Sequence, residues 1–95
     1  MRYNKRLKFI TQDSQTGEYA YHDTVYPVNV TSMGIKSQTA VFGSVKQGRV
    51  SVRLQNKISQ RKDYFVIDGQ NYQIEQNSTT DRGTTIYGVE YHGRL

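Results

Sequence analysis

An all-β fold, a small five- to six-stranded antiparallel barrel or sandwich with one long loop between early strands, follows from three features of this 95-residue chain. Apolar residues alternate with a period of two, turn-forming residues punctuate the segments, and no stretch sustains an apolar stripe at helical spacing. The length allows one domain, residues 1–95, and a domain of that size buries roughly 60 to 65 per cent of its unfolded surface. With 35% hydrophobic residues the core is modest. Oligomerisation is the expected additional support, because disulfides and thiolate metal sites need cysteine and the chain has none.

Leu7 and Phe9 alternate with Arg6 and Lys8 as a first strand, and Asp13-Ser14-Gln15-Thr16-Gly17 supplies turn chemistry after it. The return strand runs from about Tyr19 to Thr31, with Tyr26, Val28 and Val30 on one face. Pro27 lies inside it and cannot donate to a ladder, so the strand must be at an edge, bulged, or paired on one side only near that residue. From Ser32 to Gly48 the alternation fails, leaving a projecting loop, residues 32–48, with room for a short helical turn around Ser37 to Val41.

Arg49 to Gln55 restores it, with Val50, Val52 and Leu54 directed inward and Arg49, Ser51, Arg53 and Gln55 outward. Tyr64–Ile67 and Gln70–Ile74 flank Asp68-Gly69, the pair that favours a type I′ hairpin turn. A two-residue loop sets Ile67 opposite Gln70 and Phe65 opposite Tyr72, which places Phe65, Ile67, Tyr72 and Ile74 on one face. Asn77 to Gly83 reads as a polar turn region. A last strand spans about Thr84 to Tyr91, and its Tyr87 and Tyr91 count, with Tyr26, Phe65 and Tyr72, among positions that alternate as core.

Thirteen Lys and Arg against eight Asp and Glu give a net charge of +5, which favours polyanionic partners. Its distribution is more informative. No acidic residue lies between Asp23 and Asp63, a span that holds Lys36, Lys46, Arg49, Arg53, Lys57, Arg61 and Lys62. Such a run is ordinarily the solvated face of a strand; without interspersed carboxylates it also projects a single-sign field toward any phosphate polymer. Within the span, Ala40-Val41-Phe42 has no local partner to bury it and is expected to dock on a neighbouring subunit. Loops of this length without secondary structure are uncommon in small domains and usually functional.

Catalytic chemistry has little to build on. His22 and Asp23 occupy consecutive strand positions facing opposite ways, so they do not easily act as a base and its orienter, and with His92 flanked by Gly93 both histidines read as solvated. Zinc spacing, phosphate-cradling glycine loops and nucleophile elbows are missing from the sequence. The expectation is a protein that is not an enzyme and uses no cofactor or metal. No apolar run approaches the roughly 20 residues of a membrane-spanning helix, and the basic N-terminal residues lack a following apolar stretch of signal-peptide length. The sequons at Asn29 and Asn77 are therefore read as chance.

The order and spacing of several stretches resemble the head-closure proteins of long-tailed phages, also called head-tail joining, head-completion or stopper proteins. They are Arg6-Leu7-Lys8-Phe9-Ile10, Tyr26-Pro27-Val28-Asn29-Val30, Phe42-Gly43 with Lys46, Val52-Arg53-Leu54-Gln55, and Asp63 to Gly69 with Tyr72 and Ile74. The resemblance implies a β-barrel that assembles as a homo-oligomeric, dodecameric ring in the virion, between the portal or adaptor ring and the tail-completion or tail-tube proteins, after assembly in the host cytoplasm. It implies further that the loop 32–48 faces or closes the DNA channel. Lys36, Lys46 and Arg49, with Arg53 beyond the loop, would then touch genomic double-stranded DNA without reading its sequence, and Ala40, Val41 and Phe42 would contact adjacent subunits. Two other readings stay open: an autonomous nucleic-acid-binding barrel of the oligonucleotide-binding kind, and a tail-completion or tail-terminator protein of the same particle.

Overall fold

Seven strands and one helix form among residues 3–44, 47–58 and 62–93, the residues described by the structure, which is a computed structural model. In chain order they are β1 Lys5–Gln12, β2 Tyr19–Tyr21, β3 Tyr26–Ser32, α1 Ile35–Phe42, β4 Arg49–Leu54, β5 Tyr64–Ile67, β6 Gln70–Thr80 and β7 Gly83–Glu90. All pairings are antiparallel, and the sheet runs β2-β1-β3-β4-β7-β6-β5. Leu7–Ile10 of β1 then pair with Ile67–Tyr64 of β5. That contact closes six strands into a barrel and leaves β2 as an extra strand on β1. Closure removes the open edges a flat sheet would expose.

The period-two pattern explains the interior. Leu7, Phe9, Val28, Val52, Leu54, Phe65 and Ile86 are each at most 2% exposed, and Val50, Ile67 and Ile58 complete the cluster. Burying each large side chain contributes about 1.5–3 kcal/mol, so this cluster is the main stabilising element. Tyr26, Val30, Tyr72 and Ile74 pack at its margin. Gly88 faces inward on β7 because no side chain fits there: an added Cβ would meet the Phe65 ring at 2.6 Å.

Two of the three hairpin turns show their local chemistry most directly. Asp68 and Gly69 adopt φ of 52° and 77°, the left-handed pair that a type I′ turn requires, and the register is Ile67 to Gln70 and Phe65 to Tyr72 as the sequence predicts. At the other hairpin, Asp13 Oδ1 accepts from the amides of Gln15 (2.7 Å) and Thr16 (3.1 Å). Those two bonds hold the Asp13 carboxyl below its ordinary pKa.

The structure corrects two strand boundaries, bears out the reading of Pro27 and extends the expected helical turn. The single return strand is two, β2 and β3, because His22–Val25 span the interval that Lys8 and Phe9 span on β1; four residues facing two cannot keep one ladder. Pro27 sits opposite Arg6 at the start of β3, and pairing to β4 begins only at Val28, so its missing donor interrupts no bond on that side. Strand β6 extends through Thr80 rather than stopping before Asn77, with a bulge between Ile74 and Gln76. Finally, within residues 32–48 the helical turn expected around Ser37 to Val41 is an eight-residue helix, Ile35–Phe42.

Candidate functional site

On the strands that bury Val28, Val52 and Ile86, the alternate residues face outward. Register aligns them into two rows across the wall: Asn29, Arg53, Thr85 and Ser78, then Thr31, Ser51, Tyr87 and Gln76. Helix α1 lies against part of this wall. It begins after Gly34, which offers no side-chain cap, and ends at Gly43, whose left-handed φ of 69° lets its amide reach Thr39 O.

The helix is fastened through Gln38 and Phe42, four residues apart on one face. The Phe42 ring meets Tyr87 edge-on at 5.7 Å, and the Arg49 guanidinium lies over Phe42 at 3.9 Å. Arg49 Nη1 donates to Gln38 Oε1 (3.1 Å) and to the Ser44 carbonyl (2.7 Å). Its Nε and Nη2 donate to the two carboxylate oxygens of Glu75 at 2.8 and 2.9 Å, the bidentate geometry that makes arginine–carboxylate pairs strong. The hydrogen bond to Glu75 raises the Arg49 pKa above its ordinary value, against the opposing effect of desolvation. Strand β7 separates β4 from β6 in the sheet, so this ion pair crosses the outside of β7 and ties α1 to three strands.

Arg49 therefore cannot face DNA. Its side chain is 2% exposed, because the helix covers the outward end of β4 and the bulge in β6 brings a carboxylate to it. Phe42 is likewise not a free docking residue; it packs on its own barrel. The other proposed contacts fall where a partner could reach them: Lys36, Ala40 and Val41 are exposed on α1, and Arg53 is exposed on the wall. Lys46 lies outside the described residues. Tyr87 and Tyr91 were expected in the core but face outward, Tyr87 under Phe42 and Tyr91 against Tyr64 at 4.9 Å.

Between α1 and the wall runs a groove of about 420 Å³, its apolar side made by Met33, Ala40, Val41 and Tyr87 and its polar side by Asn29, Thr31, Ser51 and Arg53. A second depression of about 350 Å³ shares Arg53 and adds Tyr3, Thr80, Arg82 and Thr85. Among the described residues no carboxylate lines either one. Both fall within the roughly 300–1,000 Å³ of ligand sites. Of the acids on neighbouring segments, Glu75 is paired with Arg49, and the fully exposed Asp81 lies 3.8 Å from Lys57.

Elsewhere the chemistry is sparse. His22 Nε2 lies 3.2 Å from the Thr11 hydroxyl and exposed His92 lies 3.6 Å from Glu90. Among the described residues no three His, Asp or Glu side chains converge on a point that could hold a metal. Glu75 and Gln38 are the residues that sequence reasoning missed. An arginine without a carboxylate on its own segment signals that a partner must come from a distance, but nothing in the spacing names which.

The class of protein defined by this arrangement is a closed antiparallel β-barrel with a helix docked on its outer wall and an acid-free groove beside it. Comparison with protein-family models, with curated proteins and with solved structures finds no match.

Proposed function

We propose that this chain is a structural component of a phage neck, forming a ring between the portal or adaptor and the tail and lining or closing the DNA channel. The observation that carries the reading is the β3–β4 connection. It contains no acidic residue, and its helix is fastened at Gln38 and Phe42 while Ile35, Ala40 and Val41 remain in solvent, Ala40 and Val41 in the groove they share with Arg53. Such a face, with apolar side chains near a cation and no acid in its connection, suits a surface that another molecule covers. Lys36, Lys46 and Arg53 are the residues assigned to the DNA, through phosphate contacts that carry no sequence preference; Arg49 serves instead to fasten the helix. One end of the barrel would meet the adaptor ring and the other the tail-completion or tail-tube proteins.

The test is the particle itself. Mass spectrometry of purified virions should find the chain, and imaging should place it in a ring at the neck; a tail-terminator role would place it further along the tail. Deleting the gene should leave filled heads that lose DNA and carry no tails. Normal tailed particles without the chain would overturn the proposal. A second reading, a free-standing nucleic-acid-binding barrel, is favoured by the two acid-free depressions that meet at Arg53. It requires salt-sensitive binding of oligonucleotides by the isolated protein, weakened by Arg53→Ala and Arg82→Ala.

A further inference from the structure

Polarity is graded along the outer wall of β3, β4 and β7. Arg49 lies under α1; two residues on, Ser51 aligns with Thr31 and Tyr87, and two further on Arg53 aligns with Asn29 and Thr85. Successive outward residues stand roughly 7 Å apart along a strand. The turn from β6 to β7 comes next, and its Arg82 borders the second depression together with Arg53, Thr80 and Thr85. Asp81, beside Arg82 in that turn, lies 3.8 Å from Lys57 and lines neither depression.

At the α1 end the surface changes character. Met33, Ala40 and Val41 share the groove of about 420 Å³ with Asn29, Thr31 and Ser51. Apolar atoms therefore stand opposite neutral amide and hydroxyl groups, which can both donate and accept, and the cations stand at the junction with the second depression. Ligands differ in how much of this layout they satisfy. Inorganic phosphate, or the outside of a duplex, meets Arg53 and Arg82 but leaves the apolar slot empty, because paired bases are turned away from the phosphates. An acidic peptide spreads its carboxylates along a chain, whereas both arginines and the Thr80 and Thr85 hydroxyls border one depression. An unpaired nucleotide brings a flat ring, an edge of donors and acceptors, and one concentrated anion.

We infer that the two depressions form one site for an unpaired nucleotide, with the base between Val41 and the row of Thr31 and Ser51 and the phosphate on Arg53 and Arg82. Asn29, Thr31 and Ser51 meet the base edge, which only an unpaired base exposes in full. A free nucleoside monophosphate and the phosphorylated end of a single strand share this chemistry. The inference deepens the nucleic-acid-binding reading and rests on it for the two arginines; it is independent of the neck.

Titration calorimetry at low salt, with inorganic phosphate, a nucleoside, its monophosphate, a phosphorylated trinucleotide and a duplex as probes, tests the site. The monophosphate should bind roughly tenfold more tightly than inorganic phosphate or the nucleoside, the gain expected from holding one base. Replacing Ala40→Gln and Val41→Gln together narrows the slot without changing charge and keeps good helix formers; it should remove that gain and leave phosphate binding as in the parent. Arg53→Ala and Arg82→Ala should each weaken monophosphate and phosphate alike, by roughly tenfold. All four positions are exposed, so every variant should melt with the parent barrel. A trinucleotide that binds more tightly than the monophosphate would mark a strand end as the occupant, and equal binding would mark the free nucleotide. Equal affinity for monophosphate and inorganic phosphate would overturn the base slot and leave the nucleic-acid reading with backbone contacts alone. A glutamate-rich peptide that competes as well as the nucleotide, or a duplex that outbinds the single strand regardless of the paired Gln substitutions, would also overturn it. Absence of binding to every phosphate compound would remove both the site and the nucleic-acid reading. Nucleotide binding by a chain not found in virions would keep the site and remove the neck.

Discussion

Arg49 and Arg53 lie on the same face of the same strand, four residues apart, yet one fastens the fold and the other is left for a partner. Arg49 is covered by α1, bonded to Glu75, Gln38 and Ser44, and stacked on Phe42. Arg53 lies on the uncovered half of the wall, where two depressions meet. Alternation along a strand decides which way a side chain points. What lies over it is decided by a distant segment, and that difference separates a structural cation from one available for binding.

The sharpest way to break the contrast is to remove Arg49. Arg49→Ala removes the bidentate cation from Glu75 and deletes the bonds to Gln38 and Ser44. Losing one member of a largely buried pair is expensive, and for a domain of this size the melting midpoint should fall by about 15 °C. A drop as small as that of a surface substitution would mean that the helix is not held through this network. Phe42→Ala should cost less, about 2 kcal/mol or about 10 °C, because the ring is half-buried rather than enclosed. Amide exchange should localise the loss: protection should fall across α1 while β5 and β6 keep theirs. Equal loss everywhere would show that α1 is integral to the barrel.

Legibility in the sequence follows the same division. The hairpin from Tyr64 to Ile74 was readable to the residue, because Asp68-Gly69 fixes the turn and the turn fixes the register. The inward triplet Val50, Val52 and Leu54 was readable for the same kind of reason, since period two needs no knowledge of neighbours. Tyr87 was misplaced because a tyrosine beneath a helix and a tyrosine in a core look alike to a pattern. Helix α1 was only partly foreseen: its eight residues show a weak apolar face, and what holds it is a glutamine, a phenylalanine and an arginine from another element. Glu75 sits in a bulge, which shifts register without leaving a mark in hydrophobicity. For the site, Lys36, Ala40, Val41 and Arg53 are exposed, whereas Arg49 is buried and Phe42 is half-buried on its own barrel.

The β1–β2 hairpin is uncovered as well, and turn chemistry shapes its tip. Amides of Gln15 and Thr16 hold the Asp13 carboxyl below its ordinary value of 3.8. The hairpin's contribution from this group is therefore complete above that pH and declines as pH drops through the lowered value in the folded state. Acidification below about pH 4 should lower the protection of those two amides relative to their intrinsic exchange rates. Asp13→Asn keeps an acceptor oxygen without the titration, so it should abolish that pH dependence. If the variant and parent respond alike, another group is responsible.

Arg53 should show the smallest effect of all on the fold. Its guanidinium is exposed on a wall of hydroxyls and amides, and no hydrogen bond buries it, so Arg53→Ala or Arg53→Glu should change stability by no more than about 0.5 kcal/mol. The consequence should appear only in binding, as weaker retention of nucleotides. A large loss of stability on changing Arg53 would place it with Arg49 as part of the architecture and leave the groove without its cation. An unchanged melting curve with altered nucleotide binding would confirm that two arginines of one strand face serve different ends, according to what the rest of the chain lays over them.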